Sequence, residues 1–310
     1  MAKNVGESAL ARLKALSKET GIAMPAILRR YAQERLLYRL SVSPEAGNFC
    51  VKGGVLLSAY YKGRLLRPSD DIDFNGFLTD GTIEKVGDVM RQVVTNCNVD
   101  DGVEILLDSM KIKAVREGRI PGGKITLIAK IGTARVDLSV DVGFGNKITP
   151  EVRTLVMPTM LGSMVPAPTV LAYPIETVVA EKSAIIEEHG MINTRLKDYF
   201  DLLMISKTQE FSGPVLSQAI RNTFDFRETT VPLLEMVGLS TEFIEDHNVA
   251  WNAFLKKIDY REPLPFANVV AEIKTFIEPV VKATAERNEF EMDWRPGEGW
   301  SPVLSPSLGM

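Results

Sequence analysis

Between residues 103 and 144 the hydrophobic pattern runs with a period of two, and no other stretch of this chain constrains its fold as tightly. The segments EILLDSMKIKAV, KITLIAKI and ARVDLSVDVGF are divided by glycine-containing turns, the pattern of a meander or of adjoining sheet strands. In the last of them Val136, Leu138, Val140 and Val142 share one face, and Arg135, Asp137, Ser139 and Asp141 share the other.

Helical periods surround this β segment. Residues 7–19 and 25–42 read as two helices broken at Gly21 and Pro25, the second with Leu28, Ala32, Leu36 and Leu40 as an apolar stripe and Arg29, Arg30 and Gln33 facing elsewhere. FCVKGGVLLSAYY predicts a short strand or loop entry, two glycines and an apolar helix over 55–61. A strand is expected at 71–78, with Asp80-Gly81 as its turn, then a helix over 82–96. After the Pro-rich connection 165–174, helices are expected at 175–189, 194–207, 212–224, 231–237, 240–256 and 268–284. The tail WRPGEGWSPVLSPSLGM reads as extended or packed as an arm rather than folded alone. These elements predict an α+β fold, a mixed sheet with flanking helices followed by a helical C-terminal domain. The expected divisions are 1–45 (N-terminal helices), 46–164 (the α/β domain), 165–290 (the helical domain) and 291–310 (the extended tail).

Composition narrows the chemistry. In 310 residues the chain has two cysteines (Cys50, Cys97) and two histidines (His189, His247), too few for a disulfide framework, a zinc cage or histidine-centred catalysis. A metal would have to be held by carboxylates. No apolar run approaches the roughly 20 residues that cross a bilayer, and the first residues lack a signal-peptide core, so no membrane association and a cytoplasmic location are expected. A net charge of −4 provides no whole-protein attraction to nucleic acid, so an RNA contact needs a local basic patch.

RPSDDIDF supplies the carboxylates. On a strand, Asp71 and Asp73 project from one face while Ile72 and Phe74 enter the core. Two acids so close repel unless a cation neutralises them, and a divalent metal is the simplest solution. A third acid on a neighbouring strand, Asp141 or Asp137, can join them; an all-oxygen set favours magnesium, with manganese as the alternative. The bland reading of a lone DxD is a solvated strand face. The preceding Lys52-Gly53-Gly54 weighs against it, because two glycines opening a helix let backbone N–H groups approach a triphosphate, with Ser69 close to the acids in sequence.

In IETVVAEKSAIIEEHG, Lys182 falls within the apolar stripe of Ile175, Val178, Val179 and Ile186, so it either snorkels to water or meets an anion. In RLKDYFDLLMIS, Asp198 and Asp201 lie three apart on one helix face. They form either a surface pairing with Arg195 and Lys197 or part of a nucleotide site with Lys182.

The order RRYAQERLLYRL, FCVKGG, SDDIDF, VDVGFG, PIETVVAEK and RLKDYFDLL, over residues 29–206, resembles the AbiEii/AbiGii-type toxin nucleotidyltransferases of the DNA polymerase beta-like superfamily. The resemblance implies a nucleotidyltransferase-type mixed sheet and the toxin half of a bacterial toxin–antitoxin system. The implied activity adds nucleotides from an NTP to an RNA acceptor, with the tRNA 3′ end favoured, and the implied partner is a cognate antitoxin protein. It implies Asp71, Asp73 and Asp141 as catalytic and magnesium-binding residues, Lys52, Gly53, Gly54, Ser69 and Lys182 at the nucleotide, and Asp198 and Asp201 completing the cleft. Two rival readings keep the site. One moves the nucleotidyl group to a protein or small-molecule hydroxyl, and the other is an inactive NTP-binding partner subunit. For RNA, Lys111 and Lys113 with Arg116, Arg119 and Lys124 form a basic run, which reads equally as a solvated strand edge.

Overall fold

The structure, a computed structural model, describes residues 4–78, 82–117 and 120–303. The turn expected at Asp80-Gly81, the side chains of Arg116 and Arg119, and the tail from residue 304 lie outside the described residues. The chain divides into two compact units. The first holds the described residues up to Asn146 together with Val152–Tyr173, and the second holds Lys147–Glu151 and everything described from Pro174 onward.

In the first unit, Asn4 caps α1 (Val5–Thr20) by accepting from the Glu7 amide at 3.2 Å, and Gly21 closes it in the left-handed conformation at φ 71°. Then follow α2 (Met24–Ser41), β1 (Phe49–Lys52), α3 (Gly53–Tyr60), β2 (Asp71–Gly76) and α4 (Ile83–Asn96). The period-two stretch forms β3 (Val103–Glu117), β4 (Ile120–Ile131) and β5 (Ala134–Phe144), an antiparallel meander as its alternation predicts. Two short strands, β6 (Arg153–Val156) and β7 (Thr169–Ala172), complete a seven-stranded sheet of order β3-β4-β5-β2-β1-β7-β6. β7 lies inside the segment expected to be only a Pro-rich connection. It pairs parallel to β1 and antiparallel to β6, so its backbone partners are distant in sequence.

β2 is central. It runs antiparallel to β1 and parallel to β5, and its burial alternates over Asp71–Phe74, with Ile72 and Phe74 in the core. Phe74 meets Phe49 of β1 edge to face, with ring centroids 5.4 Å apart.

α2 departs from its amphipathic reading. Ala32, Leu36 and Leu40 are buried as expected, but so are Arg30, Gln33, Glu34, Arg35 and Arg39. The helix is enclosed on nearly every side, and its charges are neutralised internally. Arg39 grips Asp101 with two hydrogen bonds of 2.8 and 3.1 Å, and Arg35 stands 3.0 Å from Glu34 while donating to the Pro166 carbonyl at 2.7 Å. Glu34 accepts from the Met160 amide at 2.7 Å. Buried charges persist only where such partners exist, so these residues fasten the segments around 101, 160 and 166 to α2.

The second unit is built from α5 (Ile175–His189), α6 (Leu196–Ser206), β8 (Phe211–Ser212), α7 (Gly213–Arg227), α8 (Thr241–Lys257), α9 (Phe266–Ala285), β9 (Met292–Arg295) and β10 (Gly299–Pro302). Two expectations are corrected. Residues 231–236 are not helical: Pro232 has no N–H to donate, Leu233 and Leu234 are exposed, and a 3-10 turn forms only at Val237–Leu239. The stretch expected to be an extended tail instead makes the β9–β10 hairpin, which joins β8 in a three-stranded sheet. Its tryptophans explain the order: Trp294 donates its indole N–H to the Ser206 carbonyl at 2.8 Å, and Trp300 to that of Phe276 at 2.9 Å.

Candidate active site

Strand register, which alternation alone leaves open, decides which polar side chains meet. Asp73 is in register with Asp141 on β5 and with Lys52 on β1, while Lys124 of β4 lies opposite Asp141 and Lys113 of β3 opposite Lys124. Directly opposed residues share a face. One line across the sheet therefore runs Lys113, Lys124, Asp141, Asp73, Lys52, and the adjacent line runs Lys111, Thr126, Ser139, Asp71. Of the two candidate third acids, Asp141 is the neighbour of Asp73. Asp137 is exposed and opposes Ile128, one line beyond Asp71.

The acids already meet a cation from within the chain. Lys124 Nζ lies 2.9 Å from Asp71 Oδ1 and 3.3 Å from Asp141 Oδ1. Partial burial pulls the ammonium pKa down, but the hydrogen bond to Asp71 and the charges of Asp141 and Asp71 outweigh it and raise the pKa above the usual lysine value. As the side chains stand, no three His, Cys, Asp or Glu residues among the described residues are grouped closely enough to hold a metal ion. The carboxylates are spaced around an ammonium.

On the β1 side, backbone comes unusually near the acids. Gly53 opens α3 at φ 68°, and a Cβ there would stand 2.0 Å from Asp73 Oδ2. At Gly54 an added Cβ would lie 2.8 Å from Ser69 Oγ and 3.0 Å from a guanidinium nitrogen of Arg67. The two glycines thus leave a cradle bordered by Asp73, Ser69, Arg67 and the N-terminal amides of α3, a setting suited to anionic oxygen. Lys52 stands with its ammonium 5.7 Å from the centre of the Tyr173 ring.

α2 steadies the approach to β2. Gln33 donates to the Ser69 carbonyl at 3.0 Å, Ser69 Oγ donates to the Asp71 carbonyl at 3.2 Å, and Arg29 forms an ion pair with Asp70. Asp70 is therefore the acid that ties the strand entry to α2. Arg29 carries no sequence signal for this role, because its partner is distant along the chain and only the fold joins them.

Lys182, Asp198 and Asp201 meet within the second unit. Lys182 donates to Asp201 Oδ2 at 2.7 Å and to Asp198 Oδ1, and Arg195 Nε donates to Asp198 Oδ2 at 2.8 Å. All three members of the Lys182 cluster are buried, so the lysine does not snorkel and the acids are not a surface pair. Burial alone would push the Asp198 carboxyl pKa up, but Lys182 and Arg195 hold it well below the ordinary carboxylate range. Lys111 and Lys113 are exposed on β3.

A family model for the AbiEii nucleotidyl transferase toxin of type IV toxin–antitoxin systems matches residues 35–276. Among solved structures, MenT4, a nucleotidyltransferase toxin from Mycobacterium tuberculosis H37Rv, is similar at 18% identity with a TM-score of 0.51, over 89% of this chain and 99% of that one. JHP933 from Helicobacter pylori is similar at 15% identity with a TM-score of 0.50, over 84% of this chain and 94% of that one. At such identities the likeness to these structures is one of fold. No curated protein matches the chain in sequence.

Proposed function

The chain belongs to the AbiEii family of type IV toxin nucleotidyltransferases, and from that premise we propose that it transfers a nucleotidyl group from an NTP to the 3′ hydroxyl of an RNA, with the tRNA 3′ end as acceptor. Membership makes it an enzyme with a nucleotide substrate and a cognate antitoxin as partner. None of the described helices is long and apolar enough to cross a membrane.

The observation that carries the reading is the register of β2 with β5, which sets Asp73 beside Asp141 with Asp71 on the same face, next to the Gly53-Gly54 cradle. In the reaction the acceptor oxygen attacks the α-phosphorus, the new P–O bond forms, the bond to the β-phosphate bridging oxygen breaks, and pyrophosphate leaves. The acceptor hydroxyl proton passes to a carboxylate, a role we assign to Asp141, and from there to water. The α3 amides, Ser69 and Lys52 bind the triphosphate, and the guanidinium of Arg67 offsets the charge on the leaving pyrophosphate.

The donor set fits magnesium, or manganese in its place. Asp71, Asp73 and Asp141 offer hard oxygen ligands only, and the reading is supported by the Lys124 ammonium, a positive charge held between Asp71 and Asp141. Bound there, the ion would neutralise charge on the triphosphate and the leaving group. We assign Lys182, Asp198 and Asp201 to fastening α5 to α6, since direct contact of Lys182 with phosphate requires it to leave two buried carboxylates.

The test is transfer from labelled NTPs to total RNA, with and without magnesium, by the wild type and by Asp73→Ala. The expected result is magnesium-dependent labelling of RNA that the variant abolishes. Label appearing instead on protein or on a small molecule overturns the acceptor assignment, and full labelling by Asp73→Ala overturns the site.

A further inference from the structure

Arg30 of α2 reaches the wall of the Gly53-Gly54 cradle, a buried cation with no part in the transfer chemistry. It is 5% exposed. Its Nη2 donates to Ser58 Oγ at 2.8 Å, and that hydroxyl donates in turn to the Val55 carbonyl at 2.9 Å, in the first turn of α3. Its Nη1 is buried with no hydrogen-bond partner among the described residues. The guanidinium borders a cavity of about 10 Å³, room for at most one water, and Ser58, Gly54 and Ser69 form part of the same lining. Gly54 and Ser69 also border the cradle.

Arg30 is the unbalanced charge of this region. The buried charged residues described in the first unit are Arg30, Arg35 and Arg39 against Glu34 and Asp101, three cations and two anions. Arg39 grips Asp101, while Glu34 is held by Arg35 at 3.0 Å and by the Met160 amide at 2.7 Å. Burial pulls the Arg30 pKa down, and the charge of Glu34, one helical turn along α2, offsets only part of that effect. A guanidinium keeps its proton in a protein, so Arg30 remains a cation short of a counter-ion. It stands beside the N-terminal turn of α3, whose free amides add to the positive potential. A buried charge in such surroundings is unfavourable until an anion arrives.

We propose that Arg30 is the buried counter-charge of the triphosphate, a positioning residue that acts through Ser58, Gly54 and Ser69 without touching the nucleotide. The proposal rests on the nucleotidyl-transfer reading and deepens it by making α2 part of the nucleotide site. The cavity beside Arg30 is too small for a phosphate group. The guanidinium therefore works by its field and by holding the first turn of α3, whose amides face the anion.

The experiment uses the full chain and inorganic tripolyphosphate, a probe without a base, titrated by calorimetry. Label transfer measures kcat and the KM for NTP and for RNA separately. Arg30→Gln removes the charge but keeps an amide that can donate to Ser58, and Arg30→Lys keeps the charge. Arg30→Gln is expected to weaken tripolyphosphate binding and raise the NTP KM about tenfold or more, with kcat and the RNA KM within about threefold of wild type. Its Tm without ligand stays within about 3 °C of wild type, because an uncompensated charge has been removed. Arg30→Lys is expected to bind tripolyphosphate within about threefold of wild type. Ser58→Asp leaves Arg30 in place and gives it a counter-ion, so it should bind tripolyphosphate about tenfold more weakly than the neutral Ser58→Asn. Wild-type affinity and NTP KM in Arg30→Gln overturn the proposal, with or without a fall in Tm. Arg30→Lys binding as weakly as Arg30→Gln overturns it as well, as does a wild type that binds no tripolyphosphate. Should Arg30→Gln fail to fold, equal affinity in Ser58→Asp and Ser58→Asn overturns it. Absence of label transfer by the wild type strikes the function reading instead, and the tripolyphosphate series still decides Arg30.

Discussion

Replacing Gly53 by alanine tests the cradle through two separable costs. The first is conformational: at φ 68° a Cβ crowds the backbone, which costs about 1–2 kcal/mol. The second is a collision, because the new Cβ would stand 2.0 Å from Asp73 Oδ2, 2.7 Å from its Cγ and 3.0 Å from its Cβ. Asp73 is a side chain and can turn away, so this second cost is that of an off-rotamer carboxylate, about 1 kcal/mol. The sum of about 2–3 kcal/mol corresponds to a fall in Tm of roughly 5–10 °C for a unit of this size. The activity loss is larger than the stability loss suggests, about 100-fold or more, because the turn that relieves the collision moves Asp73 away from Asp141. A double-mutant cycle separates the parts. On an Asp73→Ala background the contacts with Oδ2 and Cγ are gone and only the 3.0 Å contact with Cβ remains, so Gly53→Ala costs little beyond the backbone strain, which leaves a coupling of about 1 kcal/mol. Thermal unfolding and label transfer measure both quantities. Gly54→Ala is the contrast: its φ is not positive and its neighbours are the side-chain ends of Ser69 and Arg67, which can shift without moving the backbone, so stability stays near wild type while transfer falls. Zero coupling in the cycle, or a Gly53→Ala protein with wild-type Tm and rate, refutes the reasoning.

The buried cluster of the second unit makes two further predictions. Lys182→Met leaves Asp198 and Asp201 without their shared ammonium and should cost about 3–5 kcal/mol in urea unfolding, most of it restored when both acids are changed to asparagine in the same chain. Asp198 also sets an acid limit. Its folded pKa lies below its unfolded value, so its stabilisation is fully present above the ordinary carboxylate range and is lost as pH falls through that range toward the folded pKa. The Tm of the wild type should drop more steeply on acidification than that of Asp198→Asn; parallel curves would show that Asp198 is not the group responsible.

What could be read along the chain, and what could not, follows from the distance over which each signal acts. The placement of Asp71 and Asp73 on one face, with Ile72 and Phe74 on the other, follows from strand geometry within four residues. So does the shared side of Asp198 and Asp201 on α6. Apart from residues 231–236, where Pro232 is a local cause, the elements that depart from the sequence reading are held by partners far away in sequence. β7 is a four-residue strand supported by β1 and β6, and the β9–β10 hairpin depends on tryptophans bonded to Ser206 and Phe276. α2 looked like a surface helix because its arginines and glutamate carry no local sign of the partners that allow their burial.

The amino-acid sequence by itself determined the periods: the alternation of β2 to β5, the helical repeats of the longer helices, and which face of β2 is acidic. Those depend on backbone geometry and on neighbours within a turn or a pleat. Register was decided only by the tertiary structure. The pairing of β2 with β5 set Asp141 beside Asp73, and that of β4 with β5 set Lys124 over the acids. A shift of one residue in any of these pairings preserves every local period yet sends the polar face into the core. Only the packing of the whole sheet, with Ile72, Phe74, Val140 and Val142 buried together, selects the register that assembles the site.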